Sequence, residues 1–540
     1  MKNKLINVFA LAIFFLTATL FAGGQQGDEA AAPAADLDPD VPGWTLDTSP
    51  VEFDWYLHFS WFPNQWGVDP LSQYVTEKTG VDINFIVPAG SEAEKLNTLI
   101  AGDQLPDFIT IGWWEGFVND MIEGDMVYAL DELAEQYDPY FFEVAVPSRL
   151  GWYEREDGHV YGYPNASYSP EDYERYDVPA NQTFLVRKDM YEALGKPDMR
   201  TPEGFIAALE AAKKMFPEVN GQPLIPFGSH EFGDQGSDSF GKFLQDFLAI
   251  PYEEADGTMK DRFADPEYKR WLKAFNDAND KGLMSPDIFI DKRAQMEEKI
   301  AQGRYFSMLY QRTDFASPQM TLFKNDPDSV YIAVPGPSNS KLDDPTLAAV
   351  GISGWTVTLI SKNCENPERA IRFMSYWMSE EGQRDFYYGV EGVTWEMVDG
   401  KPQFIPEAKE MMDTDRPAFD KQHGANQTFW MLMDNPMFEQ WQPAPVEPFK
   451  QMIEWTYPYT VSVSQYDNTE PTPDLDEGIV LGKVKNMRGK YIPALVTAKS
   501  DAEFEAIWNE WQQKKADLGY DDVLEYQTEK LEINKTKLGL

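Results

Sequence analysis

Between residues 51 and 59 apolar and polar side chains alternate, so that Val51, Phe53, Trp55, Leu57 and Phe59 share one face of an extended segment, which predicts a half-buried strand. The period then changes. Leu71, Tyr74 and Val75 form a helical stripe, with Asp69 as N-cap, Pro70 suited to the first turn and Gly80 as the stop. Residues 81–87 read as a second strand, Ser91 and Glu94 have capping-box spacing ahead of a helix that Gly102 ends, and residues 108–111 read as a third strand. Strand, helix, strand, helix, strand is the rhythm of a parallel sheet with right-handed crossovers.

Further on, residues 158–164 and 182–187 read as extended, and a first crossing between two lobes is placed there. Thr201 and Pro202 open a helix whose Phe205, Leu209, Ala212 and Phe216 recur at helical spacing until Pro217. Helices at 266–281 and 293–302 and a strand at 305–310 continue this second lobe. Residues 350–357 read as a return crossing, Asn366 and Pro367 as the start of a helix running to Met378, and Ser500 with Glu503 as a capping box before Phe504, Ile507, Trp508 and Trp511, with Gly519 as the stop. No internal repeat or heptad pattern occurs.

The N-terminal residues change the picture of location. Lys2 and Lys4 precede an apolar run from Leu5 to Leu20 and the small-residue stretch that follows it, the layout of a signal peptide over 1–22 cleaved after Ala22, with an uncleaved anchor as the alternative. Residues 23–48, rich in Ala, Pro, Asp and Gly, are expected to form a flexible tether. The only cysteine is Cys364, so the expected mature end carries no thiol for lipidation and no intramolecular disulfide can form. With 43% hydrophobic and 14% aromatic residues, the chain can bury a core in two or more domains. A net charge of −44 disfavours nucleic acid and anionic lipid as partners, and reads mainly as a solubilising surface.

Four stretches, in this order, resemble one family: Leu96 to Asp107, with its Ala-Gly-Asp-Gln-Leu-Pro-Asp turn; Gly158 to Asn165; Ser361 to Ala370; and Tyr388 to Gly392. The chain resembles the extracellular solute-binding proteins of bacterial carbohydrate ABC importers, of the maltose-binding-protein type, in their larger subgroup. The resemblance implies an α/β, periplasmic-binding-protein-like fold. Two α/β lobes with central mixed sheets would be joined by crossing hinge strands and would close on a ligand. The expected division is 49–165 with 350–400 in lobe 1, and 166–349 with 401–540 in lobe 2. The chain departs from the family at its missing lipid-anchor cysteine. It also departs at residues 216–222, where some members carry a calcium loop and this sequence lacks oxygen ligands at alternate positions.

Sheets of this kind bind ligands beyond the carboxyl ends of their strands. Those ends hold two tryptophan-rich loops, at residues 58–62 and 112–115. Sugars present apolar C–H faces and polar rims, and call for aromatic platforms beside amides and carboxylates. The candidate platforms are Trp61, Trp66, Trp113, Trp114, Tyr163, Trp355 and Trp395, with Glu115, Arg312 and Glu391 as polar contacts. Trp55 and Trp377 are assigned to packing. The four histidines form no HExxH pair, no nucleophile elbow, Walker loop or dinucleotide fingerprint occurs, and the acidic stretches at 467–470 and 474–477 lack full calcium-loop spacing, so neither cofactor nor metal is expected.

These observations lead to an expected function. A monomeric, exported receptor, in the periplasm or on the outer face of the cytoplasmic membrane, captures a mono- or oligosaccharide and delivers it to ABC permease subunits. A peptide or other polar solute as cargo, and a carbohydrate-active enzyme with two spaced carboxylates, are the alternatives.

Overall fold

The computed structural model describes residues 37–62, 65–441, 445–473 and 475–540. The signal peptide expected at 1–22, and the part of the tether before residue 37, lie outside the described residues.

Two sheets organise the chain. The first contains β1 (Val51–Leu57), β2 (Val81–Ile86), β3 (Phe108–Gly112) and β4 (Tyr163–Pro164). The second contains β5 (Gln182–Arg187), β6 (Ile225–Ser229), β7 (Tyr305–Gln311) and β8 (Tyr331–Ala333). The chain then passes through the short β9 (Leu347–Ala348) and returns to the first sheet as β10 (Thr356–Ile360). The orders are β2-β1-β3-β10-β4 and β8-β5-β7-β6. In the first sheet β1 runs parallel to β2 and β3, while β10 runs antiparallel to β3 and β4; in the second, β6 and β7 are parallel and β5 is antiparallel to β7 and β8. The fold is α/β, built on two central mixed sheets as expected.

The alternation read from the sequence is what buries both faces of the first sheet. Phe53, Trp55 and Leu57 enter one core with Phe108, whereas Tyr56 enters the other with Ile109 and Ile111. Trp55 stacks on Phe108 at 4.4 Å and Trp377 on Phe386 at 3.7 Å, both indoles being fully buried. The strand stops at Leu57, two residues early, because the chain turns at Phe59, whose carbonyl accepts from the Phe62 N–H.

Local capping sets the helices. In α1 (Pro70–Thr79) the Asp69 carboxylate accepts from the Ser72 N–H, and Gly80, at φ +75°, ends the helix in the left-handed region that glycine enters without strain. In α2 (Glu92–Ala101) only half of the expected box forms. Ser91 accepts from the Glu94 N–H, and it is Glu92 that reaches away, to the Ser60 N–H. Helix α3 (Gly116–Glu123) follows β3, and α4 (Pro147–Tyr153) precedes β4. Asn366 precedes a helix at Pro367–Met378 as expected, without a side-chain cap bond.

Two expected boundaries change. Trp44, placed in the tether, is buried against Tyr140 and Tyr376, because an indole with a free apolar surface is worth more in the core than in water. Residues 401–441, assigned to lobe 2, pack on the first sheet instead, with Phe429, Met431 and Leu432 in its core and Trp441 beside Tyr388. The chain reaches the second core after that, through Phe449 and Met452. Among the described residues the chain thus passes from one sheet's core to the other's three times: between β4 and β5, between β8 and β10, and between Trp441 and Phe449. At the stretch where some family members carry a calcium loop, residues 218–223 form a tight hairpin turning at Asn220 and Gly221, both at positive φ.

Three C-terminal helices finish the molecule: α5 (Asp476–Val496), α6 (Asp501–Asp517) and α7 (Tyr520–Leu538). The first two bury Tyr491, Ile492, Leu495, Phe504, Trp508 and Trp511 in the core of the second sheet. Helix α7 reaches back across the crossings. Asn534 donates to the carbonyls of Gln465 and Asp467, and Lys537 to those of Trp152 and Glu154 at the end of α4.

Candidate ligand-binding site

The carboxyl ends of β1 and β3 and the start of β10 lie at one edge of the first sheet. β1 leads into His58, Phe59, Ser60 and Trp61, β3 into Trp113, Trp114 and Glu115, and β10 is preceded by Gly354 and Trp355. A fourth element, a single 3-10 turn at Phe429–Met431, adds Trp430. Trp61 and Trp355 lie 6.2 Å apart between ring centroids and 9° from parallel, and each is 5.2 Å from Trp430. Phe59 closes the group at 5.4 Å from Trp355 and 5.5 Å from Trp430.

The cluster is anchored from behind and open in front. Asn165, fully buried in the first crossing, accepts the Thr356 N–H on its Oδ1 at 2.6 Å and donates from Nδ2 to the Trp430 carbonyl at 2.5 Å, while its own carbonyl accepts the Trp355 N–H. Trp113 donates from Nε1 to the Gly354 carbonyl at 3.0 Å. In contrast Trp61 is 56% exposed and Trp114 54% exposed, so apolar indole surface faces solvent beside half-buried rings.

Polar groups flank the rings. The Glu92 carboxylate accepts the Ser60 N–H at 3.1 Å, and the Ser60 side chain together with that N–H holds it below the usual carboxylate range. Glu115, at the N-cap of α3, makes no cap bond with its side chain. Burial pushes the His58 imidazole down, against the opposing pull of Glu115 and Glu92, so this histidine is neutral near pH 7. Its Nδ1 lies 2.9 Å from the Tyr56 hydroxyl, whose own titration burial pushes up.

On the second sheet, Arg312 stands at the end of β7. Its Nε donates to the Ala180 carbonyl at 2.8 Å, and burial lowers its pKa against the field of Tyr457, Glu439 and Tyr168. The Tyr168 hydroxyl donates to Glu439, whose carboxyl burial raises. His230 stacks on Tyr310 at 5.1 Å at the same end of this sheet. Among the described residues no helix is long and apolar enough to cross a membrane, and no group of three or more His, Cys, Asp or Glu side chains is placed to hold a metal ion.

The family model of bacterial extracellular solute-binding proteins matches residues 72–394, more than half of the chain. This chain belongs to that family. No curated protein sequence matches the chain. Solved structures that share the fold of this solute-binding protein include the following three. The alginate-binding protein AlgQ2, solved without calcium ion, is 19% identical, with a TM-score of 0.63 over 90% of this chain and 98% of its own. The ABC-transporter substrate-binding protein FusA of S. pneumoniae, in complex with kestose, is 16% identical, with a TM-score of 0.66 over 90% and 100%. A solute-binding protein of Bifidobacterium longum infantis associated with an ABC transporter that binds HMO is 14% identical, with a TM-score of 0.64 over 90% and 99%. The periplasmic-binding-protein-like, two-lobed fold expected from the sequence is the fold of these relatives.

Within this solute-binding protein the ten residues singled out from sequence separate into two groups. Trp61, Trp113, Trp114, Glu115 and Trp355 gather at one sheet edge, and Arg312 stands beside the crossings at the end of β7. The others do not join them. Tyr163 is buried in the first core, its hydroxyl accepting the Val146 N–H. Trp395 is buried beside Tyr388 and Trp441 and donates to the Gly389 carbonyl. Trp66 lies against Phe85 and Phe386 and donates to Thr76 of α1, and Glu391 is exposed in the turn leading to Trp395. The reason is the same for each ring: its polar atom has an internal partner and its faces are covered by core side chains. Sequence reasoning missed Trp430 and Phe59, the first in a short turn with no periodicity and the second expected on the strand face.

Proposed function

We propose that this protein is an extracytoplasmic receptor that captures a mono- or oligosaccharide between its lobes and presents it to ABC permease subunits, binding without turnover. One observation carries the reading: Trp61, Trp355, Trp430 and Phe59 form an aromatic surface that is open at Trp61 and lies beside carboxylates at a strand-end edge. Indole faces stack on the C–H faces of pyranose or furanose rings, while Glu115, Glu92 and Arg312 satisfy hydroxyls at the rim. Trp113 and Trp114 extend the surface along β3. Kestose is the ligand of one structural relative, which supports the same class of cargo here.

Closure about the three crossings would desolvate these contacts, and a transporter can read the closed form through its differential affinity for it. Family membership fits export, and retention outside the cytoplasmic membrane follows on this reading. The test is a saccharide panel read by intrinsic tryptophan fluorescence and thermal shift. Ligands that quench or shift the wild type but not Trp61→Ala support the reading. Indifference to a broad panel, or binding of peptides alone, overturns it.

A further inference from the structure

The charge around the aromatic surface is one-sided. Among the described residues the Glu115 side chain has neither an ion-pair partner nor a hydrogen-bond donor, although it directly follows Trp113 and Trp114. Glu92 is tied to Ser60, between Phe59 and Trp61, through the Ser60 side chain and N–H, and those bonds hold it below the usual carboxylate range. His58, in the same loop, is kept neutral by burial and supplies no compensating charge. Beside the second sheet, Arg293, which opens a helix, is already paired with Glu297 and Asp314, and Arg312, at the end of β7, has its Nε tied to the Ala180 carbonyl and stands in the field of Tyr457, Glu439 and Tyr168. The whole chain adds its net charge of −44 to this local excess.

We infer that the site selects uncharged oligosaccharides and rejects those carrying carboxylates, with Glu115 as the principal discriminating group. The inference rests on the saccharide reading and sharpens it. A uronate ring stacked on Trp61 or Trp355 would bring its carboxylate toward Glu115 and Glu92 at the first-sheet edge, and like charges brought together in a partly desolvated cleft discriminate through cost as well as through lost attraction. The fold does not decide this property. A structural relative of the same architecture is an alginate-binding protein, so a polyanionic ligand is compatible with the two-lobed frame, and the side chains at the rim decide the sign.

The experiment uses the full exported chain and two probe sets of equal length: neutral gluco-, manno-, xylo- and fructo-tetrasaccharides, and tetra-uronates. Binding is followed by tryptophan fluorescence and calorimetry at low and high salt. The expected result is saturable binding of at least one neutral probe, with tetra-uronates weaker by roughly tenfold or more at low salt. The gap narrows at high salt, because screening weakens repulsion. It narrows again in Glu115→Gln. The salt series on the wild type keeps the proposal falsifiable if that variant folds poorly. Tetra-uronates that bind as tightly as the neutral probes, or more tightly, overturn the charge selection while leaving the receptor reading in place. Failure of both probe sets overturns the receptor reading as well.

Discussion

Gly354, at φ +69°, sits so close to Asn165 that an added Cβ would lie 2.0 Å from the Asn165 carbonyl oxygen. That same oxygen accepts the Trp355 N–H. The contact therefore locks the first crossing to the return crossing at the point where the cluster's central indole begins. Gly354→Ala should strain the backbone and displace the carbonyl, costing about 1–3 kcal/mol. The variant should unfold at lower urea and lose saccharide-induced fluorescence change. A variant of wild-type stability would contradict the assignment.

The rings themselves divide by role. Trp61→Ala and Trp355→Ala each remove a stacking face worth about 1.5–3 kcal/mol of apolar burial, which corresponds to a roughly ten- to hundredfold rise in Kd. Trp395→Phe should leave Kd unchanged and lower stability by about 1 kcal/mol, since it deletes the bond to the Gly389 carbonyl inside a closed cluster. Equal effects of all three on Kd would refute the separation into platform and packing.

Stability should carry a pH signature from Asp467, a carboxylate in the hinge that accepts the Ser353 N–H and that burial pushes up to about 6 from 3.8. A carboxyl that binds its proton more tightly when folded stabilises the fold fully below about pH 4, and that contribution fades as pH rises through 6. Asp467→Asn keeps the acceptor without the charge. It should match the wild type near pH 4 and exceed it at pH 8, by at most about 3 kcal/mol, in urea midpoints at the two pH values. A constant difference across pH would exclude Asp467 as the source.

Helix α7 should act as a brace on the crossings. Asn534→Ala strands the carbonyls of Gln465 and Asp467, at a cost of about 1–3 kcal/mol. Lys537→Met frees the end of α4 at the Trp152 and Glu154 carbonyls. Hydrogen exchange at residues 464–467 should accelerate in the first variant and remain slow in a control at the exposed Ile533.

What was legible in the sequence was local. The alternation read over 51–59, the Asp69 cap, the Gly80 stop and the strands read at 81–87 and 108–111, found at 51–57, 81–86 and 108–112, depend on side chains a few positions apart, so periodicity and capping chemistry specify them to within two residues. Helix α5 shows the limit. It contains Gly478, Gly482, Gly489 and Pro493, residues that argue against a helix on propensity, and Gly489 is required because a Cβ there would meet the Asp234 carbonyl at 2.0 Å. A distant backbone decides that position, and no neighbour in sequence announces it.

The same division holds for the site. Tryptophan in a strand-end loop singled out Trp61, Trp113 and Trp114 as candidates, yet residue type alone does not tell an exposed ring from a core ring: Trp61 is 56% exposed and Trp395 is 3% exposed. Trp430 enters the cluster only because Asn165 holds its carbonyl across 265 positions of chain. By itself the sequence determined the local elements and the chemical class of the surface. The three crossings decided which indoles meet and which carboxylates stay unpaired, because burial and charge pairing depend on contacts between segments far apart in sequence.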